Sequence, residues 1–363
     1  MRLFWWSGAA AVRTMVPDMA GKVLIVANPT SGGYSAEFLD DVRNRLEDLG
    51  CKTEIRLTRR AGEIGDICAD PSLPVQTLVV AGGDGSVNEA LTGFQNHPAP
   101  PQLGIIPFGT ANVLALELGL PRNAKAIAEL IRRGKTRQLH YGLANGRPFV
   151  LMASAGFDAE VVHAVPLSLK RRLGKLAYVI TALRTGFKRK SASLKVILDG
   201  EELTGKLAVA SNARHYGGPF VICPGGATDP GLHMLVLERD DPWSSFCYGV
   251  ALLMGRIHKA KGALVRPFKT ASILATGAVA AQVDGDPFGA TPLEIRQTDK
   301  TVPILAPCRG NGAASPPRLP TPTTSTPSVI AGLAPAIQFV TSATPKPLRL
   351  DSARHGCHGR AMA

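Results

Sequence analysis

The residues with the clearest chemical purpose are Gly82-Gly83-Asp84-Gly85-Ser86-Val87-Asn88-Glu89, which directly follow the apolar run Leu78-Val79-Val80-Ala81. A glycine pair at the end of a buried strand lets the backbone turn where other residues cannot, and it leaves no Cβ in the way. Amide groups in such a turn can close on a phosphate, helped by the N-terminus of a following helix. An aspartate would be a poor choice for anion binding alone. Beside phosphate it suits a bridging Mg²⁺, which takes oxygen ligands from both. A plain strand-to-helix turn can also contain Gly-Asp-Gly, but the stretch reads better as a nucleotide-phosphate and metal site with Asp84 as metal ligand.

Two further loops share the pattern. Val23-Leu24-Ile25-Val26-Ala27 empties into Asn28-Pro29-Thr30-Ser31-Gly32-Gly33, and Leu103-Gly104-Ile105-Ile106 into Pro107-Phe108-Gly109-Thr110-Ala111-Asn112. In a parallel sheet such loops gather on one edge, where α/β folds bind ligands.

The elements that must position these loops alternate from Lys22 to about His140. The pattern predicts strands over 23–27, 52–57, 77–80 and 103–106, with helices over 36–49, 63–69, 87–94, 111–118 and 123–133. Such alternation implies a mostly parallel sheet with helices on both faces. After about Tyr141 the texture changes to short β-rich segments over 149–153, 194–198, 206–211, 232–237, 272–275, 280–284 and 293–296. They predict an antiparallel sandwich or barrel, with a helical candidate over 243–257. The expected organisation is an N-terminal extension over 1–21, either disordered or mis-annotated, and an α/β nucleotide-binding domain over 22–140. A β-rich domain over 141–308 carries a basic helical insert over 161–190, and a disordered Pro-rich tail runs over 309–363.

The chain has 363 residues, enough for two domains with proper cores, and no run approaches the roughly 20 apolar residues of a membrane span. Its six cysteines show no regular spacing, which reads as thiols in a reducing compartment, not a disulfide framework. A net charge of +13 favours an anionic partner. Between Val161 and Lys190 the basic residues Lys170, Arg171, Arg172, Lys175, Arg184, Lys188, Arg189 and Lys190 interleave with Leu, Ile, Val and aromatic residues, with no acid among them. That segment suits an anionic membrane surface, docked through residues 170–190; a solvated face of a packed helix is the plainer alternative. Nucleic acid is a poorer fit, since aromatic residues for stacking make up only 6%.

Taken in order, the three loops, Ser154-Ala155-Gly156-Phe157-Asp158 and Asp284-Gly285-Asp286 resemble one family, the bacterial relatives of diacylglycerol kinase and sphingosine kinase, including the YegS-type lipid kinases. The resemblance spans about Lys22 to Pro307. The Gly-Gly-Asp-Gly loop alone is shared with NAD kinases and phosphofructokinases; the five ordered motifs together discriminate. The resemblance implies a nucleotide-binding α/β domain followed by a β-rich domain, with the site between them. It implies ATP and Mg²⁺ as cofactors. Asn28, Pro29, Ser31, Gly32, Gly33 and the run Gly82 to Glu89 would cradle the phosphates, with Thr58, Gly109, Thr110 and Asn112 beside them. Asp84 would hold the catalytic Mg²⁺. Asp284 is the first choice for the general base, with Asp286 as its metal-linked partner or as the base itself. Asp286 stands where the family has glutamate, one methylene longer. A structural Mg²⁺ site would use Asp229 and the Leu232 carbonyl, where Pro230 replaces the family's frequent aspartate.

The expected function is transfer of the γ-phosphate of ATP to a hydroxyl of a diacylglycerol-like or sphingoid lipid. The enzyme would be cytoplasmic and peripherally attached to the inner face of the membrane. A kinase for a soluble acceptor such as NAD, and a non-catalytic lipid- or nucleotide-binding protein, are the alternatives. Oligomeric state, a homodimer included, stays open.

Overall fold

The structure, a computed structural model, describes residues 21–164 and 192–307. The expected N-terminal extension, most of the basic insert with its docking residues 170–190, and the Pro-rich tail lie outside the described residues. All described residues fall within one compact unit.

The chain runs through β1 (Lys22–Ala27), α1 (Ala36–Asp48), β2 (Lys52–Leu57), α2 (Glu63–Ala69), β3 (Thr77–Gly82), α3 (Asp84–Phe94), β4 (Gln102–Pro107), α4 (Val113–Leu118), α5 (Ala124–Arg133) and β5 (Thr136–Leu139). It continues through β6 (Gly142–Ala144), β7 (Arg147–Phe149), β8 (Met152–Gly156), α6 (Phe157–Ala164), β9 (Leu194–Leu198), β10 (Glu201–Gly205), β11 (Leu207–Ser211), β12 (His215–Tyr216) and β13 (Phe220–Val221). Then come β14 (Leu232–Leu237), α7 (Pro242–Leu253), a 3-10 turn (Ile257–Lys259), β15 (Ala263–Phe268), β16 (Thr270–Ala275), β17 (Ala280–Val283), β18 (Asp286–Ala290), β19 (Leu293–Gln297) and β20 (Val302–Leu305).

The first sheet has the order β2-β1-β3-β4-β20-β5. Strands β1 to β4 pair in parallel, as the alternation of strand and helix predicts. Successive side chains of a strand point to opposite faces. Thus Val23, Ile25 and Ala27 pack with Leu39, Val42, Leu46 and Ile127 of α1 and α5, whereas Leu24 and Val26 pack with Ile64, Val87 and Leu91 of α2 and α3. Ser35 caps α1 by accepting from the Phe38 amide, and Asn123 caps α5 through the Ala126 amide. The last described strand, β20, returns from the β-rich part to join this sheet, parallel to β4 and antiparallel to β5. No local pattern reveals such a return.

The β-rich part holds two six-stranded antiparallel sheets, β10-β9-β16-β19-β6-β7 and β15-β14-β11-β8-β17-β18. Their facing residues, Leu194, Val196, Ile273 and Ile295 from one and Ala153, Ala208, Met234 and Val283 from the other, form one buried cluster. This is the expected α/β domain followed by a β-rich sandwich. The other face of the second sheet, with Val209 and Leu235, joins a cluster that includes Leu91 and Leu114 of the first part, so the two parts share apolar contacts.

Two expectations are corrected. The strand expected over 149–153 is broken at Val150 and Leu151, because their amides, with that of Met152, bond to the Asp284 carboxylate instead of a neighbouring strand. The helix expected over 243–257 ends at Leu253, and Gly255 follows with a left-handed φ of 64°.

Candidate functional site

Three loops meet where β1, β3 and β4 end. The Gly33 amide donates to the Phe108 carbonyl at 2.7 Å, joining the first loop to the third. A Cβ placed on Gly32 would lie 3.3 Å from Thr110 Oγ1. One on Gly109 would stand 2.5 Å from Gly83 Cα, and one on Gly82 would collide with the Ser86 hydroxyl. Gly109 is therefore required by close approach of main chain to main chain, and Gly82 by the Ser86 side chain. Thr58 follows β2 and its amide donates to the Ala27 carbonyl at 2.9 Å, which places it beside Asn28. Pro29, Gly32, Gly33 and Thr110 are exposed, while Ser31, Gly83 and Gly85 are half-buried. Gly83 begins α3 with no side-chain cap. A helix leaves its first amides without intrahelical partners, so this end is suited to an anion.

The polar side chains of these loops mostly hold the loops themselves. The Asn28 side-chain oxygen accepts from the amide and the hydroxyl of Thr30. Asn112, at a left-handed φ of 48°, donates through Nδ2 to the carbonyls of Pro107 and Gly109. Asp84 reaches across to the third loop, where its two oxygens accept from the Val113 and Leu114 amides at 3.0 Å each and cap α4. Val87 is buried in the core. Glu89 lies toward α2, where its charge acts with burial to push the Cys68 thiol up to about 12.

Asn88 is the link to the β-rich part. It is 2% exposed, and its Nδ2 donates to the Pro148 carbonyl at 2.7 Å and to Asp284 Oδ2 at 2.8 Å. The Asp284 carboxylate also accepts from the amides of Val150, Leu151 and Met152 at 2.8 to 2.9 Å. Four donors thus converge on two oxygens. Burial pushes this carboxyl up to about 6, against the pull of those donors. Asp284 has a left-handed φ of 50°, which aspartate tolerates better than most side chains. The following Gly285 is also left-handed, and the turn presents Asp286 to the cradle. Asp286 Oδ2 lies 3.6 Å from where a Cβ on Gly85 would stand.

Behind the turn sits a polar network that sequence reasoning did not find. On β17, Ala281 and Val283 face the sandwich core, whereas Gln282, 2% exposed, lies opposite Ser154 of β8. Gln282 Oε1 accepts from the Gly285 amide at 2.8 Å, and Nε2 donates to Ser154 Oγ at 2.7 Å and reaches Asp158 Oδ2 at 3.5 Å. The amide orientation follows from this, since only an oxygen can accept from Gly285. Asp158 further accepts from Ser154 Oγ at 2.6 Å and Tyr216 Oη at 3.2 Å. Burial raises its carboxyl above the ordinary value in spite of these donors. The available signal was one polar residue inside the apolar run of β17.

The residues expected to hold metal lie in different parts of the molecule. Asp84 borders the cradle, and Asp229 follows β13, where its amide donates to the Gly226 carbonyl at 2.7 Å. Leu232 opens β14 with its side chain in the sandwich core. Among the described residues, no three His, Cys, Asp or Glu side chains gather as a metal cage. A Mg²⁺ carried by a nucleotide needs no such cage, because it takes one or two carboxylates with phosphate oxygens and waters. Asp84 and Asp286, both beside glycines of the cradle, fit that donor set.

Comparison with known proteins agrees with this arrangement. Residues 22–144 match the family model of the diacylglycerol kinase catalytic domain, and residues 152–306 that of the YegS C-terminal NAD kinase beta sandwich-like domain. The chain is 30% identical over 220 residues to a diacylglycerol kinase of Bacillus subtilis (strain 168), covering 59% of this chain and 73% of that one. It is 25% identical over 295 residues to a diacylglycerol kinase of Staphylococcus carnosus (strain TM300), covering 80% and 96%. A solved diacylglycerol kinase structure from Bacillus anthracis str. Sterne superposes with a TM-score of 0.65 at 23% identity, covering 79% of this chain and 97% of that one, and shows the same fold. With its glycine cradle facing an Asp-Gly-Asp turn across two matched domains, the chain belongs to the diacylglycerol kinase family and is an ATP-using lipid kinase.

Proposed function

We propose that the protein transfers the γ-phosphoryl group of ATP to a hydroxyl of a diacylglycerol-like or sphingoid lipid at a membrane surface. The observation that carries this reading is the approach of Asp286 to Gly85: a carboxylate stands beside the loop suited to phosphate. Phosphoryl transfer is mostly positioning and charge stabilisation. The cradle from Asn28 to Gly33, Gly82 to Ser86, and Gly109 with Thr110 orients the phosphates by main-chain groups. Thr58 stands beside them. Asn88, Asn112 and Asp84 hold the loops in register. Asp286 takes the proton from the acceptor hydroxyl as the new bond forms. Asp284 is better read as a positioning residue than as the base, since its oxygens already accept four hydrogen bonds. Gln282 and Asp158 steady the turn from behind. Mg²⁺, when bound, would neutralise phosphate charge, with Asp84 as its protein carboxylate through a water, since both Asp84 oxygens already accept amides. Asp229 and Leu232 take no part in this reading.

The test is transfer from labelled ATP to a panel of diacylglycerols and sphingoid lipids in anionic mixed micelles, with NAD as a soluble acceptor in parallel. Label in one lipid, lost in Asp286→Asn while nucleotide binding persists, supports the reading. Label in NAD alone would replace it with a soluble-acceptor kinase.

A further inference from the structure

Helix α7 is apolar on both sides, with Tyr248, Ala251 and Leu252 packed on the core and large apolar residues also facing outward. Its inward positions include Ser244 and Tyr248, which are buried, while Trp243, Phe246, Leu253 and Met254 are exposed by 64, 62, 71 and 68%. The Trp243 and Phe246 rings stack with centroids 5.9 Å apart, and at 3.6 residues per turn Leu253 and Met254 fall on the same side about two turns further on. A soluble helix normally directs its large apolar residues to the core. Contiguous exposed apolar surface marks a contact with a protein or a membrane.

Charge and position select between these occupants. The stripe runs into Arg256, Lys259 and Lys261, all exposed. The acids Asp240 and Asp241 precede the helix, which Asp241 caps through the Ser244 amide, and Glu238 pairs through its amide with the Gly262 carbonyl beside Lys261. An outward face of Trp, Phe and Leu followed by exposed basic residues just past the helix end is suited to the boundary of an anionic bilayer. A second copy of a chain with net charge +13 is the poorer occupant, since like charges oppose its approach. The helix also adjoins the reaction end of the molecule. It packs beside β13, whose partner β12 supplies Tyr216 to Asp158, and Asp158 lies against Gln282, which holds Gly285.

We propose that the outward face of α7 inserts into the anionic bilayer that presents the acceptor, with Arg256, Lys259 and Lys261 on its head groups. This rests on the proposed reaction at a membrane surface and adds an element to it. The experiment uses the full chain with Trp5→Phe and Trp6→Phe, which leaves Trp243 as the sole tryptophan. Its emission is followed on phosphatidylcholine vesicles with and without phosphatidylglycerol, using lipids brominated on the acyl chain as quenchers. Blue-shifted, quenched emission that requires phosphatidylglycerol supports insertion. The exposed triple variant Trp243→Ser, Phe246→Ser, Leu253→Ser, made in the natural chain, should lose vesicle binding by about tenfold or more. Its transfer to a dispersed short-chain lipid should be unchanged. Unquenched Trp243 in an enzyme that phosphorylates bilayer lipid would overturn the docking while leaving the reaction intact. Quenched Trp243 in a protein that phosphorylates no lipid would leave the docking standing and remove the reaction. Conversion of a dimer to a monomer by the triple variant, with vesicle binding retained, would assign the face to a second copy and overturn the proposal.

Discussion

The phosphate cradle of the first part and the Asp284-Gly285-Asp286 turn of the second meet at Gly85 but are held in unlike ways. The cradle is shaped by missing side chains, with the Gly83 and Gly109 main chains set against each other and Gly82 against the Ser86 side chain. The turn is held by hydrogen bonds: from Asn88 on α3 and main-chain amides between β7 and β8, both distant in sequence, and to Gln282 three residues before Gly285. A glycine cradle tolerates almost nothing added. A carboxylate hub tolerates almost nothing removed. The two aspartates of the turn differ in the same sense, since Asp284 faces inward onto four donors while Asp286 faces the cradle.

The sharpest way to break this comparison is to neutralise the two aspartates separately. Asp286→Asn is expected to lower kcat by about 10²–10⁴-fold, the range for loss of a general base, with thermal stability and ATP affinity nearly unchanged. Asp284→Asn replaces an acceptor by a donor against buried amides. Each amide left unpaired costs about 1–3 kcal/mol, so both the melting temperature and kcat should fall. A stable, inactive Asp284→Asn and a fully active Asp286→Asn would reverse the roles.

Gly109→Ala comes next. Its Cβ meets the Gly83 main chain, which has no flexible end to move aside. Overpacking of about 1–3 kcal/mol should appear as a weaker ATP affinity by roughly 10–100-fold, measured by calorimetry, with folding retained. The pH dependence of stability separates the hub from the cradle more finely. Asp284 titrates near 6 when folded, above its ordinary value of 3.8. From about pH 4 to pH 6 the folded chain keeps a proton that the unfolded chain has released. Its contribution to unfolding free energy therefore declines as pH rises through that window and levels off above it. Urea titrations of the natural chain and Asp284→Asn should differ by this slope, and a difference that rises with pH would contradict it. The smallest expected effect on stability is that of Asp84→Ala, which by removing a proposed Mg²⁺ ligand should also lower kcat. It removes the acceptor for the Val113 and Leu114 amides and should cost about 0.5–2 kcal/mol, as loss of a helix cap does.

Sequence alone was sufficient for the features that depend on near neighbours. Short unbroken apolar runs mark β1, β3 and β4, and β2, α2, β9 and β14 begin and end where turn residues place them. The glycine loops announce themselves because a strand that stops in Gly-Gly or Gly-Thr must turn there. The family follows from the order of those loops. Tertiary structure alone decided what the polar residues do. Asn88 and Asp284 are 196 residues apart and meet at 2.8 Å. Asp84, legible as a metal carboxylate, also caps a helix 29 residues away, and β20 returns to a sheet that the chain left after β5. Backbone conformation and side-chain period are local properties, and each residue carries them wherever it lies. A hydrogen-bond partner, and hence the difference between a base and a brace, exists only once folding has brought the second group within 3 Å.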